Sequence, residues 1–207
     1  IIEAGGHKIG FLGLGTRLQG LVTPIASENV EYSLPLDHAE TVARELKDNG
    51  AELVIALSHL GFNKDVTNPY QDSGVASHTE NIDLIIGGHS HTFLTSAQFV
   101  ENPSGKMVPI VQTGSKGIYL GYMKIDLSKT GTDRFTYRLI PVDSRLDKRI
   151  DGAFASKLRY YSEQLELSMN EVLGYCPKTM RKGKPQGELG NWASDAMVEM
   201  CKDEFGV

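Results

Sequence analysis

Two runs of apolar residues constrain this chain more than anything else in it: Leu53-Val54-Ile55-Ala56-Leu57 and Leu84-Ile85-Ile86-Gly87-Gly88. A strand with one wet face must alternate apolar and polar positions. Runs without alternation therefore predict strands covered on both sides, in a sheet packed inside a layered domain. Just before the first run, Asp37 and Glu40 have the spacing of a capping box, Ala39, Val42, Ala43 and Leu46 make one apolar stripe, and Asn49-Gly50 stops the helix. The strand-like segment at 8–14, this helix and the run at 53–57 make a strand, helix, strand unit with a short connection, which favours parallel pairing, and parallel strands put their carboxyl ends on one edge of the sheet.

Both runs end in histidine. The first continues as Ser58-His59-Leu60-Gly61 and the second as Gly87-Gly88-His89-Ser90-His91-Thr92. The glycines allow a sharp turn or a close approach, and extended geometry would point His89 and His91 the same way. Three imidazoles on one sheet edge form a nitrogen-rich site suited to zinc, manganese, iron or a similar divalent ion. Carboxylates would normally complete such a site. Asp65 and Asp72 lie in the polar segment between the runs and Asp83 begins the second strand, but none adjoins the histidines in sequence. His7, His38 and His78 fall in turns or a first helical turn and are assigned no role.

The 207 residues are 40% hydrophobic, enough for a packed core in one large or two small domains. With 21 basic and 26 acidic side chains, the net charge of -5 gives no case for nucleic acid or an anionic membrane as partner. No apolar stretch approaches the roughly 20 residues that span a bilayer. The chain opens on Ile1 and passes at once into a strand-like segment at 8–14, which reads as a mature or excised piece, so the lack of a leader says little. Cys176 and Cys201 could pair or stay free, and two thiols do not fix a redox compartment.

Residues 1 to about 140 alternate between strand and helix, the signature of an α/β domain. The segment from Asn63 to Thr79 reads as a surface loop before a short turn of helix. Beyond His91, the segments 108–112, 121–127 and 134–139 predict three short strands of an antiparallel meander. Phe154, Leu158, Tyr161, Leu165 and Met169 then recur at helical spacing, which predicts a connecting helix, and a further helix opens at Glu188.

Other motifs are weaker. Gly13-Leu14-Gly15 lacks the third glycine of a dinucleotide fingerprint, and Gly105-Lys106 lacks the rest of a phosphate-binding loop. Gln112-Thr113-Gly114-Ser115 follows an apolar strand and is either a plain turn or part of the same edge. Lys178, Arg181, Lys182 and Lys184 read as a solvated basic loop.

Ser58-His59-Leu60-Gly61, Ile86-Gly87-Gly88-His89-Ser90-His91-Thr92, Gln112-Thr113-Gly114 and Gly190-Asn191-Trp192-Ala193-Ser194-Asp195-Ala196, in that order, resemble the 5'-nucleotidase and UDP-sugar hydrolase branch of the calcineurin-like metallophosphoesterases. The resemblance implies residues 1–148 as the second half of a four-layered αββα metallophosphoesterase domain. It implies a linker helix over 149–170 and, over 171–207, the start of an α+β substrate-binding domain. It further implies hydrolysis of nucleotides or nucleotide sugars by water activated between two divalent ions, with His59 and His89 on one ion and His91 on the other. A 2',3'-cyclic nucleotide phosphodiesterase or a thiosulfate-ester hydrolase would share these residues. A degenerate metal- or nucleotide-binding module is the alternative outside enzymes.

The family's Asp-x-His, Gly-Asp and Asn-His motifs, which carry the bridging aspartate and the catalytic histidine, do not occur here and are expected before Ile1. No catalytic residue is therefore assigned within these 207 residues, and the chain by itself is expected to be inactive. The resemblance also implies a periplasmic, secreted or cell-surface setting.

Overall fold

The computed structural model describes residues 1–172 and 174–206. Leu173 and Val207, inside the span expected to open the C-terminal domain, lie outside the described residues. The chain divides into two compact units, Ile1–Arg149 and Ile150–Val207.

The first unit is built on a six-stranded sheet. In chain order its elements are β1 (Ile2–Ala4), β2 (His7–Leu14), the single turn α1 (Pro24–Ser27), α2 (Pro35–Asp48), β3 (Leu53–Ser58), α3 (Asp72–His78), β4 (Leu84–Ile86), β5 (Gln98–Glu101), β6 (Met107–Val111), β7 (Tyr119–Ile125) and β8 (Phe135–Pro141). The strand order is β1-β2-β3-β4-β6-β5, with the four central strands parallel and an antiparallel strand at each edge. The mixed α/β class is as the apolar runs predict.

The register sets where the loops emerge. Leu14 pairs with Ser58, Leu57 with Ile86, and Ile86 with Val111, so the carboxyl ends of β2, β3, β4 and β6 finish nearly level. One face of the sheet sends Leu12, Val54, Ala56, Ile85 and Ile110 into a core shared with Ala39 and Ala43 of α2 and Val75 and Ala76 of α3. The other face sends Leu53, Ile55, Leu84 and Val111 against Met123, Ile125 and Tyr137 of the β7–β8 hairpin. Each Leu, Ile or Val among these that is fully removed from water contributes about 1.5–3 kcal/mol. Within this unit, α2 and α3 cover one face of the sheet and the β7–β8 hairpin the other.

Three expectations need correction. The predicted meander is a hairpin only. β6 belongs to the main sheet, parallel to β4, while β7 and β8 pair with each other. Val108, Ile110 and Val111 form an uninterrupted buried run, the same signature as β3. The capping box is also absent. Pro35, whose fixed φ pre-organises a first helical turn, starts α2 after Leu34, and this leaves Asp37 inside the first turn. Glu40 instead accepts hydrogen bonds from the amides of Glu80 (2.7 Å) and Asn81 (3.3 Å), anchoring the turn that enters β4. Finally, α3 is no surface turn, for Asp72, Ser73, Gly74, Val75 and Ala76 are all buried.

The second unit holds α4 (Gly152–Met169) and α5 (Glu188–Phe205). Asp151 caps α4 by accepting from the amide of Phe154 at 2.8 Å. Phe154, Leu158, Tyr161 and Met169, the stripe that predicts this helix, are exposed, as are Trp192, Met197 and Met200 of α5. Within the basic loop, Lys178 pairs with Glu188 at 3.2 Å, and Cys176 and Cys201 are free thiols.

Candidate metal centre

The level strand ends bring the predicted residues to one edge. His59 follows β3, and its amide donates to the carbonyl of Leu14 at 2.8 Å, tying the end of β3 to the end of β2. Gly87 to His91 follow β4, and the Gly87 amide donates to the carbonyl of Val111 at 2.8 Å, tying that loop to β6.

His59 and His89 face each other across this edge, their ring centroids 5.3 Å apart and their planes inclined at 71°. Two imidazoles held 2.0–2.1 Å from one tetrahedral ion place their centroids about 5 Å apart, so the spacing fits a shared ion. The glycine between the strand and His89 makes this possible. A side chain at Gly88 would begin 3.0 Å from Nδ1 of His59, and the ring would have to give way.

His91 stands apart from this pair. Among the described residues no group of three or more His, Cys, Asp or Glu side chains converges on one point. Nor do the three acids considered from the sequence join the histidines. Asp65 is exposed and closes its own turn, accepting from the amide (2.9 Å) and hydroxyl (2.7 Å) of Thr67. Asp83 sits at the opposite end of β4, and Asp72 lies buried beneath the two loops. His7 pairs with Glu52 at 2.8 Å and His78 binds the carbonyl of Gly74 at 2.9 Å, local roles unconnected with the edge.

His89 and His91 do not have the extended geometry expected of them. The strand ends at Ile86, and both histidines adopt left-handed backbone, with φ of 71° and 56°. Histidine enters this region more readily than most residues, but such conformations store about 1–3 kcal/mol each and persist only where the surroundings impose them.

Gln112 imposes them here. It is 1% exposed, and its side chain reaches from the end of β6 into the histidine loop. There Nε2 donates to the carbonyl of Gly88 at 2.9 Å, while Oε1 accepts from the amide of Thr92 at 2.5 Å and from the hydroxyl of Ser90 at 3.0 Å. Ser90 in turn accepts from the amide of Phe62 at 3.0 Å, linking this loop to the one after β3. The Gln112-Thr113-Gly114 element is therefore part of the edge, as a clamp. Replacing Gln112 with alanine should lower stability by about 1–3 kcal/mol by leaving these groups unpaired. Urea unfolding and faster hydrogen exchange at the Thr92 amide would register the loss, and an unchanged Thr92 amide would contradict it.

Asp72 is the residue that sequence reasoning noticed and then misplaced. Its side chain accepts from the Ser58 hydroxyl, its amide donates to the carbonyl of Gly61 at 2.9 Å, and its second oxygen, Oδ2, is buried with no hydrogen-bond partner. Burial pushes its carboxyl up to about 6, a rise that the Ser58 hydrogen bond only partly offsets. Beside His89, a cleft of about 300 Å³ is lined by Arg17, Tyr70 and Gln71, among others.

The fold and edge together define a class: α/β proteins that carry a histidine-bearing loop edge on a parallel sheet. No family model matches the chain. The trifunctional nucleotide phosphoesterase protein YfkN of Bacillus subtilis (strain 168) is 24% identical over 216 residues, covering 100% of this chain and 14% of that protein. A snake venom 5'-nucleotidase from Macrovipera lebetinus is 25% identical over 216 residues, covering 93% of this chain and 49% of its own length. The crystal structure of a 5'-nucleotidase precursor from Thermus thermophilus superposes with a TM-score of 0.72 at 23% identity, over 96% of this chain and 41% of that one. The chain thus spans less than half the length of each of these proteins. In sequence it is similar to proteins named as 5'-nucleotidases and as a nucleotide phosphoesterase, and in fold to a 5'-nucleotidase precursor.

Proposed function

We propose that this chain is part of a metal-dependent phosphoric ester hydrolase acting on nucleotides. The observation that carries the reading is the His59–His89 pair, at a spacing suited to one shared ion, in a chain whose relatives are named as 5'-nucleotidases and a nucleotide phosphoesterase. His59 and His89 hold one divalent ion, and His91 serves a second. Bound there, such ions would polarise phosphoryl oxygens and supply a nucleophilic water. The imidazoles fit that task as neutral nitrogen donors, and the left-handed loop with its Gln112 clamp holds one of them facing His59.

On this reading the 207 residues alone contribute ligands but no complete centre, residues 171–207 begin a substrate-binding domain, and the setting is extracytoplasmic, as the venom relatives suggest. Calorimetric titration of the 207-residue chain with Zn²⁺ should show one bound ion, lost in His59→Ala and His89→Ala and retained in His91→Ala. Equal uptake by all four proteins would refute the ligand assignment. For activity, residues 1–149 can replace the matching stretch of the Thermus thermophilus protein. The hybrid should release phosphate from AMP and lose that ability with His89→Ala, whereas a folded hybrid that is inert beside an active parent would sink the proposal.

A further inference from the structure

Asp72 lies against both histidine-bearing loops from within. It touches the β3 loop on either side of His59, through the Ser58 hydroxyl and, by its own amide, through the carbonyl of Gly61. Its Oδ2 lies against the first residue of the β4 loop, so close that a side chain at Gly87 would begin 2.3 Å from it. Gly87 is glycine because this carboxylate occupies the space that a Cβ would need.

Packing does not require an acid there. A neutral amide would accept the same Ser58 hydrogen bond, yet the chain keeps a carboxylate that is 0% exposed and whose Oδ2 has no donor. Buried acids left without donors are disfavoured. They make sense where a nearby positive charge is added in the working state. His59 is within reach of such an effect, because Gly88, the neighbour of Gly87, lies against its Nδ1. The loops above are where the preceding section puts a cation, and this inference rests on that reading.

We propose that Asp72 is a positioning residue for the metal centre: from beneath, it sets the spacing between the His59 loop and the Gly87–His91 loop, and it supplies the buried negative charge that favours a cation on the two imidazoles. Supporting groups of this kind behind metal-bound histidines are commonly worth 10–100-fold in affinity.

The test is a Co²⁺ titration of the 207-residue chain, followed by visible absorption and paired with urea unfolding of every variant. Asp72→Asn keeps the shape and removes the charge. It should unfold at least as late as the unaltered chain near neutral pH, yet bind Co²⁺ about 10-fold more weakly. Asp72→Ala should weaken binding further and change the absorption bands by relaxing the loops. Gly87→Ala should also weaken binding, and this effect should shrink in the Asp72→Ala background, where the collision is gone. If Asp72→Ala does not fold, Asp72→Asn decides. Folded Asp72 variants that bind Co²⁺ with the affinity and spectrum of the unaltered chain overturn this inference alone. An unaltered chain that takes up no more Co²⁺ than the His59→Ala/His89→Ala double variant overturns the metal reading and this inference together.

Discussion

Replacing Asp83 with alanine is expected to destabilise the Ile1–Arg149 unit by about 3–5 kcal/mol, the range for breaking a buried ion pair from one side. Asp83 lies at the start of β4 with its side chain 3% exposed. Lys47 of α2 donates to it at 2.6 Å, Lys106 pairs with its other oxygen, and the amide of Val54 donates at 2.7 Å. One carboxylate thus holds together α2, β3, β4 and the turn before β6. Burial on its own would raise the pKa of this group, but the two ammonium groups and the amide more than offset that and hold it below the usual carboxylate value.

The sign of its pH dependence follows. A depressed folded-state pKa contributes stability above the unfolded-state value, and that stability is lost as the pH falls through the folded-state value. Unfolding midpoints in urea between about pH 3 and about pH 7 should therefore show a smaller acid loss in Asp83→Ala than in the unaltered chain. Parallel curves would contradict the assignment.

The second large effect has the opposite sign. Asp72 titrates at about 6 in the folded chain against an ordinary 3.8. The folded state thus holds the proton more tightly, and stability falls as the pH rises between those two values. From about pH 3 to about pH 7 the unaltered chain should lose about 3 kcal/mol relative to Asp72→Asn, which has nothing to titrate there. Any constant difference caused by the amide itself cancels in this comparison. Urea unfolding of the two proteins at each pH measures the gap, and a gap that stays constant across the range would show that Asp72 ionises freely.

Much of this architecture is legible in the residues. Uninterrupted apolar runs at 53–57 and 84–86 force two-sided burial, and the helix before the first run, following the strand at 8–14, points to parallel pairing and a common edge for the histidines. What escaped the sequence depends on contacts distant along the chain. β5 offers only Phe99 and Val100 as apolar residues and exists because β6 provides a partner for it. The burial of α3 rests on small residues such as Ser73, Gly74 and Ala76, which look like a loop in composition but pack closely beneath the edge. The left-handed turn at His89 and His91 is held by Gln112, just past the end of β6, so no local pattern around the histidines announces it.

That left-handed turn also limits what can replace the histidines. Asparagine and aspartate adopt such backbone with little strain, whereas β-branched residues resist it. An imidazole at position 89 or 91 could thus be exchanged for an amide or a carboxylate without rebuilding the loop, while threonine or valine would disturb the backbone before any question of ligation arose. The backbone of the loop accordingly admits several kinds of side chain able to bind a metal, and, on the proposed reading, a preference among ions could be retuned one residue at a time.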